Sequence, residues 1–216
     1  PVPILTLSND TMCSNTTQII FSEPLGGDLL LLSGPGSLQG NELSAEATGI
    51  IEIAYAIDVN GCSGNASGEI VVELTPEPEF TSSDEAMCEG ELRVLSGLPD
   101  GGDFHVVSGP ASLHGDTMIT EAIGTVVIGY NVILDDCAGS ATQSIMVHEL
   151  PAPVMTNSTE LLCSGDERIL SAVPPGGSFS VLSGPGVITG DTLHANGTGQ
   201  IQIQYIWNQN GCSASA

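Results

Sequence analysis

Six cysteines are the residues of this chain best suited to chemistry, and their spacing repeats. Cys13 and Cys62 lie 49 residues apart, as do Cys88 and Cys137, and Cys163 and Cys212; each pair follows the previous one by 75 residues. Zinc sites draw thiolates from close-set pairs such as Cys-x-x-Cys, and no such pair occurs here. Matched, widely spaced cysteines read instead as disulfides. The expectation is one bridge inside each copy, Cys13 with Cys62, Cys88 with Cys137 and Cys163 with Cys212, with free thiols as the alternative. Closing such a loop stabilises by about 4 kcal/mol in the chain-entropy model. Disulfides also imply an oxidising compartment, at the cell surface or outside the cell.

Other reactive groups are sparse. The chain has no lysine, which removes the Walker phosphate loop, Schiff-base chemistry and Lys–Asn isopeptide crosslinks. His105, His114, His148 and His194 occupy four different slots of the repeat, so they do not form a repeated ligand set. No Gly-x-Ser-x-Gly elbow is present. No catalytic residue, cofactor-binding residue or metal ligand is assigned, and the chain reads as a non-enzyme. Calcium is the one cofactor weighed. Asp58 and Asn60, Asp135 and Asp136, and Asn208 and Asn210 place oxygens before each second cysteine. The third copy lacks a carboxylate there, and calcium wants six to eight oxygens. Turn residues are the simpler reading.

There are 26 acidic residues against two basic ones, Arg93 and Arg168, for a net charge of -24. That surface repels nucleic acid and keeps chains apart at low salt. No apolar run reaches the ~20 residues a membrane helix needs, so no insertion by this segment is expected. Apolar residues nevertheless make up 41% of the chain. They alternate with period two, unlike those of a disordered acidic tail.

The elements that must carry the cysteines are strands. Ile51, Ile53, Tyr55 and Ile57 alternate with Glu52, Ala54, Ala56 and Asp58, and Ile201 to Asn208 follows the same scheme. Such alternation buries one face and wets the other. Trp207 holds the slot of Ile57 and Val132, and is expected in the core. Further strands are expected near 3–7, 17–22, 28–33, 41–45 and 67–74, with equivalents 75 and 150 residues on. The fold class is all-β: a tandem array of three small immunoglobulin-like β-sandwiches, one disulfide each, forming a rod. The repeats span 1–75, 76–150 and 151–216, the third without its last strand. Pro-x-Pro linkers, Leu74 to Phe80 and Leu150 to Val154, favour extended, semi-rigid connections.

The copies share Pro-x-Pro (Pro1, Pro76, Pro151), Gly-Gly (Gly26, Gly101, Gly176), Ser-Gly-Pro (Ser33, Ser108, Ser183) and Ile-x-Tyr (Ile53, Ile128, Ile203). With the Asn-Gly-Cys ending of the first and third copies, these motifs resemble the immunoglobulin-like or PKD-like tandem repeats of giant Bacteroidota cell-surface proteins. The second copy departs with Asp136-Cys137. The resemblance implies type IX secretion, display on the outer membrane through anchoring or export machinery, and kinship with gliding-motility adhesins. It also implies O-glycosylation of Asp-Thr-apolar triplets, which here would fall on Thr11, Thr117 and Thr192. Five Asn-x-Ser/Thr sequons, at Asn9, Asn15, Asn65, Asn157 and Asn196, mark surface loops in a host that glycosylates asparagine.

The functional expectation is a stalk or fibre segment of an extracellular adhesin or filament, partnered by further copies of the same repeat. Two alternatives stand beside it. One is a subunit of a non-covalent polymer assembled by strand complementation. The other is a set of spacer or binding modules attached to a secreted enzyme.

Overall fold

The computed structural model describes residues 1–157 and 161–216. The described residues are all-β, with no helix. The first repeat contains β1 (Ile4–Thr6), β2 (Thr11–Cys13), β3 (Thr17–Ile19), β4 (Phe21–Glu23), β5 (Asp28–Ser33), β6 (Gly36–Gln39), β7 (Glu42–Ala45), β8 (Gly49–Val59) and β9 (Cys62–Glu73). One sheet has the order β2-β9-β8-β5, and the other has the order β3-β7-β6. β1 pairs with β4, which continues the line of β3. β2 runs parallel to the end of β9, with Met12 opposite Val72 and Cys13 opposite Glu73. This is the ABED and CFG division of immunoglobulin domains, with the first strand shared between the two sheets.

The second repeat carries β10 (Glu79–Phe80), β11 (Met87–Cys88), β12 (Leu92–Val94), β13 (Gly97–Leu98), β14 (Asp103–Ser108), β15 (Ala111–His114), β16 (Thr117–Thr120), β17 (Gly124–Leu134) and β18 (Cys137–His148). Its sheets follow the same orders, β11-β18-β17-β14 and β12-β16-β15. The third has β19 (Val154–Met155), β20 (Glu167–Ile169), β21 (Ala172–Val173), β22 (Ser178–Ser183), β23 (Gly186–Thr189), β24 (Thr192–Ala195), β25 (Gln202–Gln209) and β26 (Cys212–Ser215). β26 corresponds to the start of β9, Cys62 to Asn65, and pairs antiparallel with β25.

Two compact units form. One holds Pro1–Thr81, Ser96–Asp103 and Gly129–Thr142; the other holds Ser82–Leu95, Phe104–Ile128 and Gln143–Ala216.

Alternation dictates the core. Ile51, Ile53, Tyr55 and Ile57 are buried along β8, and Val126, Ile128, Tyr130 and Val132 along β17. In the first repeat Ile51 and Ile53 meet Ile20, Leu43 and Ala45 from the facing sheet, with Met12, Ile70 and Val72 completing the cluster. Each buried side chain of this kind contributes roughly 1.5–3 kcal/mol. Trp207, expected in the core, is only half-buried. Its indole N–H donates to the Pro175 carbonyl at 3.3 Å.

A tyrosine latch recurs in every repeat. The Tyr55 hydroxyl donates to the Pro24 carbonyl and accepts the Gly27 N–H at 2.8 Å. Tyr130 does the same with Pro99 at 2.5 Å and Gly102 at 3.1 Å. Tyr205 does so with Pro174 at 2.6 Å and Gly177 at 2.7 Å. The glycine is required by space: a Cβ on Gly27 would stand 2.6 Å from Cζ of Tyr55, and one on Gly177 would stand 2.5 Å from Cζ of Tyr205. The Gly-Gly and Ile-x-Tyr motifs are therefore two halves of one contact, which closes the turn between β4 and β5 onto β8.

The Pro-x-Pro segments are docked rather than free. Pro76, Pro151 and Pro153 are buried. Gly139 on β18 lies so near the chain that a Cβ there would be 2.9 Å from the Pro76 carbonyl carbon and 2.9 Å from Cδ of Pro78. Gly64 on β9 meets Pro3 in the same way.

Candidate functional site

The cysteines do not pair as the sequence suggests. Cys13 bonds Cys137, and Cys88 bonds Cys212, each across 124 residues and each with Cα atoms 5.6 Å apart. The first cysteine of one repeat thus joins the second cysteine of the next. Cys62 and Cys163 are free thiols, both exposed. The expected bridges within single repeats are corrected by this pairing.

Strand geometry gives the reason. Cys13 lies opposite Glu73, the last residue of β9, whereas Cys62 is the first residue of that twelve-residue strand. A strand of that length separates its ends by about 35 Å. A disulfide tolerates a Cα separation of only about 4.4–6.8 Å. The two cysteines of one repeat therefore occupy opposite ends of the sheet and cannot meet. Cys88 and Cys137 are held apart in the same way, because Cys88 lies opposite His148 at the end of β18.

Both ends of each bond are built from local structure. The second cysteine follows a tight turn in which Asn60, Asp135, Asp136 and Asn210 have positive φ, followed in the first and third repeats by Gly61 and Gly211. Asn, Asp and Gly tolerate that left-handed conformation best. Asp58 Oδ1 accepts the Gly61 N–H at 3.0 Å. Of the residues whose oxygens could serve calcium, Asn60, Asp135, Asp136 and Asn210 sit in turns that favour these residue types for their backbone, Asp58 accepts the Gly61 N–H from the end of β8, and Asn208 lies on β25.

The first cysteine opens a compact loop. The Cys88 N–H donates to Glu91 Oε2 at 2.8 Å, and the Glu91 N–H returns to the Cys88 carbonyl at 3.0 Å. The Cys163 N–H donates to Asp166 Oδ2 at 2.8 Å, and the Asp166 N–H returns at 3.0 Å. At Cys13, Thr16 Oγ1 donates to the Cys13 carbonyl at 2.6 Å, and the Asn15 N–H donates to the Ala45 carbonyl at 2.9 Å. Ser14 is buried beside it, and its hydroxyl accepts the Thr75 N–H at 3.0 Å. That contact ties the end of the first repeat to its own β2 region. A cleft of about 610 Å³ lies around the Cys13–Cys137 bond, with Thr16, Gln18, Asp135 and Asp136 among its walls.

Each disulfide closes a loop long enough to stabilise the fold by about 5 kcal/mol in the chain-entropy model. The two loops overlap, because Cys88 and Cys137 lie inside each other's spans. Burial follows bonding at the second position: Cys137 and Cys212 are each 1% exposed, while Cys62 is exposed.

The remaining singled-out residues are dispersed. Thr117 and Thr192 begin the equivalent strands β16 and β24 and are half-buried; Thr11 begins β2 and is exposed. His194 Nδ1 stands 3.1 Å from Glu167 Oε1, its neighbour across β20 and β24. His105 falls on β14, His114 ends β15 and His148 ends β18. Arg93 Nη1 donates to the carbonyls of Ser83 and Glu85 at 3.0 and 2.7 Å, holding the segment before β11. The Asn157 sequon runs into Ser158 and Thr159, which lie outside the described residues.

No protein-family model matches the sequence, and comparison with curated proteins finds no match. Among solved structures, the N-terminal eight immunoglobulin domains of Down syndrome cell adhesion molecule align with 100% of this chain and 36% of their own, at 12% identity and a TM-score of 0.45. An I-band fragment of titin aligns with 99% of this chain and 95% of its own, at 12% identity and TM-score 0.34. A human mucin-like protocadherin fragment aligns with 69% of this chain and 99% of its own, at 16% identity and TM-score 0.28. The immunoglobulin-like character of the chain rests on its strand order, not on these scores.

Proposed function

We propose that the chain is a structural segment, the stalk or fibre portion of an extracellular cell-surface adhesin or filament, built of modules at 1–75, 76–150 and 151–216. The observation that carries this reading is the regular bonding of one repeat to the next across 124 residues. Two disulfides in a chain of this composition fit an oxidising, extracellular setting. Type IX export, outer-membrane anchoring, gliding and glycosylation at Thr11, Thr117 and Thr192 belong to the same proposal through the sequence resemblance alone.

The mechanism is a limit on extension. A fully unfolded chain carries force along its shortest covalent path. Twelve residue steps lead from Pro1 to Cys13, 49 separate Cys137 from Cys88, and four separate Cys212 from Ala216. That path extends to about 230 Å, against about 750 Å for the reduced chain. Single-molecule stretching in oxidising and reducing buffer tests the proposal. The expected result is a threefold greater end-to-end length after reduction. Equal lengths in the two buffers would contradict a tension-limiting role.

A further inference from the structure

We infer that Cys163 and Cys62 form a head-to-tail covalent junction, in which Cys163 of one chain bonds Cys62 of a second copy. The argument starts from two bonds already made. The first cysteine of the first repeat bonds the second cysteine of the second repeat, and the same rule joins the second repeat to the third. Applied once more, the rule leaves a first cysteine, Cys163, and a second cysteine, Cys62, without partners inside the 216 residues. They are the complementary halves of the bond the chain makes twice.

Both halves are preformed. The Cys163 loop repeats the hydrogen bonds of the Cys88 loop: cysteine N–H to the carboxylate three residues on at 2.8 Å in both, and the return bond at 3.0 Å in both. The Gly165 N–H donates to the Ala195 carbonyl at 2.6 Å, as the Gly90 N–H does to Thr120 at 2.9 Å. On the other side, Cys62 faces Val59 across the β8–β9 turn in the register that Cys212 takes with Gln209. The turns share positive φ at Asn60 and Asn210, 54° and 51°, and at Gly61 and Gly211, 79° and 84°. The difference lies in cover. Cys212 is 1% exposed where its partner sits, and Cys62 is exposed where none does.

The chemistry is thiol–disulfide exchange with a small disulfide such as oxidised glutathione as oxidant. The Cys163 thiolate attacks one glutathione sulfur, forming a mixed disulfide and releasing one glutathione thiolate. The Cys62 thiolate of the second chain then attacks the Cys163 sulfur and releases the other glutathione. Two protein thiols are oxidised, one glutathione disulfide is reduced to two thiols, and the two protons pass to the released glutathiones.

The inference rests on the structural reading above, and its test separates the two. The 216-residue chain is incubated with a glutathione redox buffer at roughly physiological salt, which screens the repulsion between acidic copies. It is then resolved without reductant beside Cys62→Ala and Cys163→Ala. Both cysteines are exposed, so neither substitution disturbs a core. The unsubstituted chain is expected to give a ladder of dimer, trimer and higher species. Each variant alone is expected to stay monomeric. Their equal mixture is expected to give dimer and stop there, about ten-fold or more above either variant alone, because only that pairing reproduces the geometry a disulfide requires. Equal dimer in a single variant would mean random thiol pairing and would overturn the inference. So would a monomeric unsubstituted chain with both internal bonds formed, an outcome that leaves the extension-limiting role standing.

Discussion

At the scale of single residues, the tyrosine on the long central strand of each repeat is the most exacting feature. Its ring lies in the core and its hydroxyl spans the turn after β4, β13 or β21, taking one N–H and giving to one carbonyl. Removing only that oxygen leaves a part-buried N–H and a part-buried carbonyl without partners, which costs about 1–3 kcal/mol. Tyr55→Phe is therefore expected to lower unfolding stability by that amount in urea titrations, with no change in secondary structure. A variant as stable as the parent would show that water satisfies both groups and that the latch contributes nothing. The ring itself is not at issue, since Phe retains the apolar surface of a side chain only 1% exposed.

At the scale of elements, the last strand of each repeat organises its surroundings. β9 and β18 each run twelve residues, carry a cysteine at their start, and pair with the first cysteine of the same repeat at their end. Near their start they also hold the Pro-x-Pro segment against a glycine. Gly139→Val puts a branched side chain where Pro76 and Pro78 now lie. Overpacking of this kind costs about 1–3 kcal/mol. The expected outcome is faster cleavage after Glu79, which Phe80 follows, by a glutamate-specific protease, with the Cys13–Cys137 bond still formed. Unchanged cleavage would mean that the segment is held by other contacts. The third repeat carries Ala214 at this position.

The same strands mark where the sequence could and could not be read. β5, β7 and β8 were legible because Leu29 and Leu31, Leu43 and Ala45, and Ile51 to Ile57 alternate with wetter neighbours. β2 and β6 carry three and four residues and offer no alternation to read. The sequence points to a strand start at residue 67 rather than Cys62, because Gly64 and Asn65 are poor strand formers. The observed strand is five residues longer at its start, and that length puts Cys13 and Cys62 at opposite ends. In a perfectly periodic chain, a step of 49 residues and a step of 124 connect first to second cysteines equally well, and connectivity does not follow from spacing alone. The Gly-Gly and Ile-x-Tyr motifs were visible, but their union in one hydrogen-bonded latch was not, because it depends on a turn 28 residues from the tyrosine.

At the scale of the whole molecule, a net charge of -24 disfavours indiscriminate association of chains. Joining one repeat to the next then falls to local, specific bonds, and the cross-repeat disulfides are of that kind. They give the chain two overlapping closed loops, and they leave one thiol of each type for another copy. The most direct test is disulfide mapping: digestion of the oxidised protein with a glutamate-specific protease under non-reducing, mildly acidic conditions, followed by mass spectrometry of the linked peptides. The account predicts peptides joining Cys13 to Cys137 and Cys88 to Cys212, with Cys62 and Cys163 alkylated as free thiols in the monomer. Peptides joining Cys13 to Cys62, or Cys88 to Cys137, would contradict it.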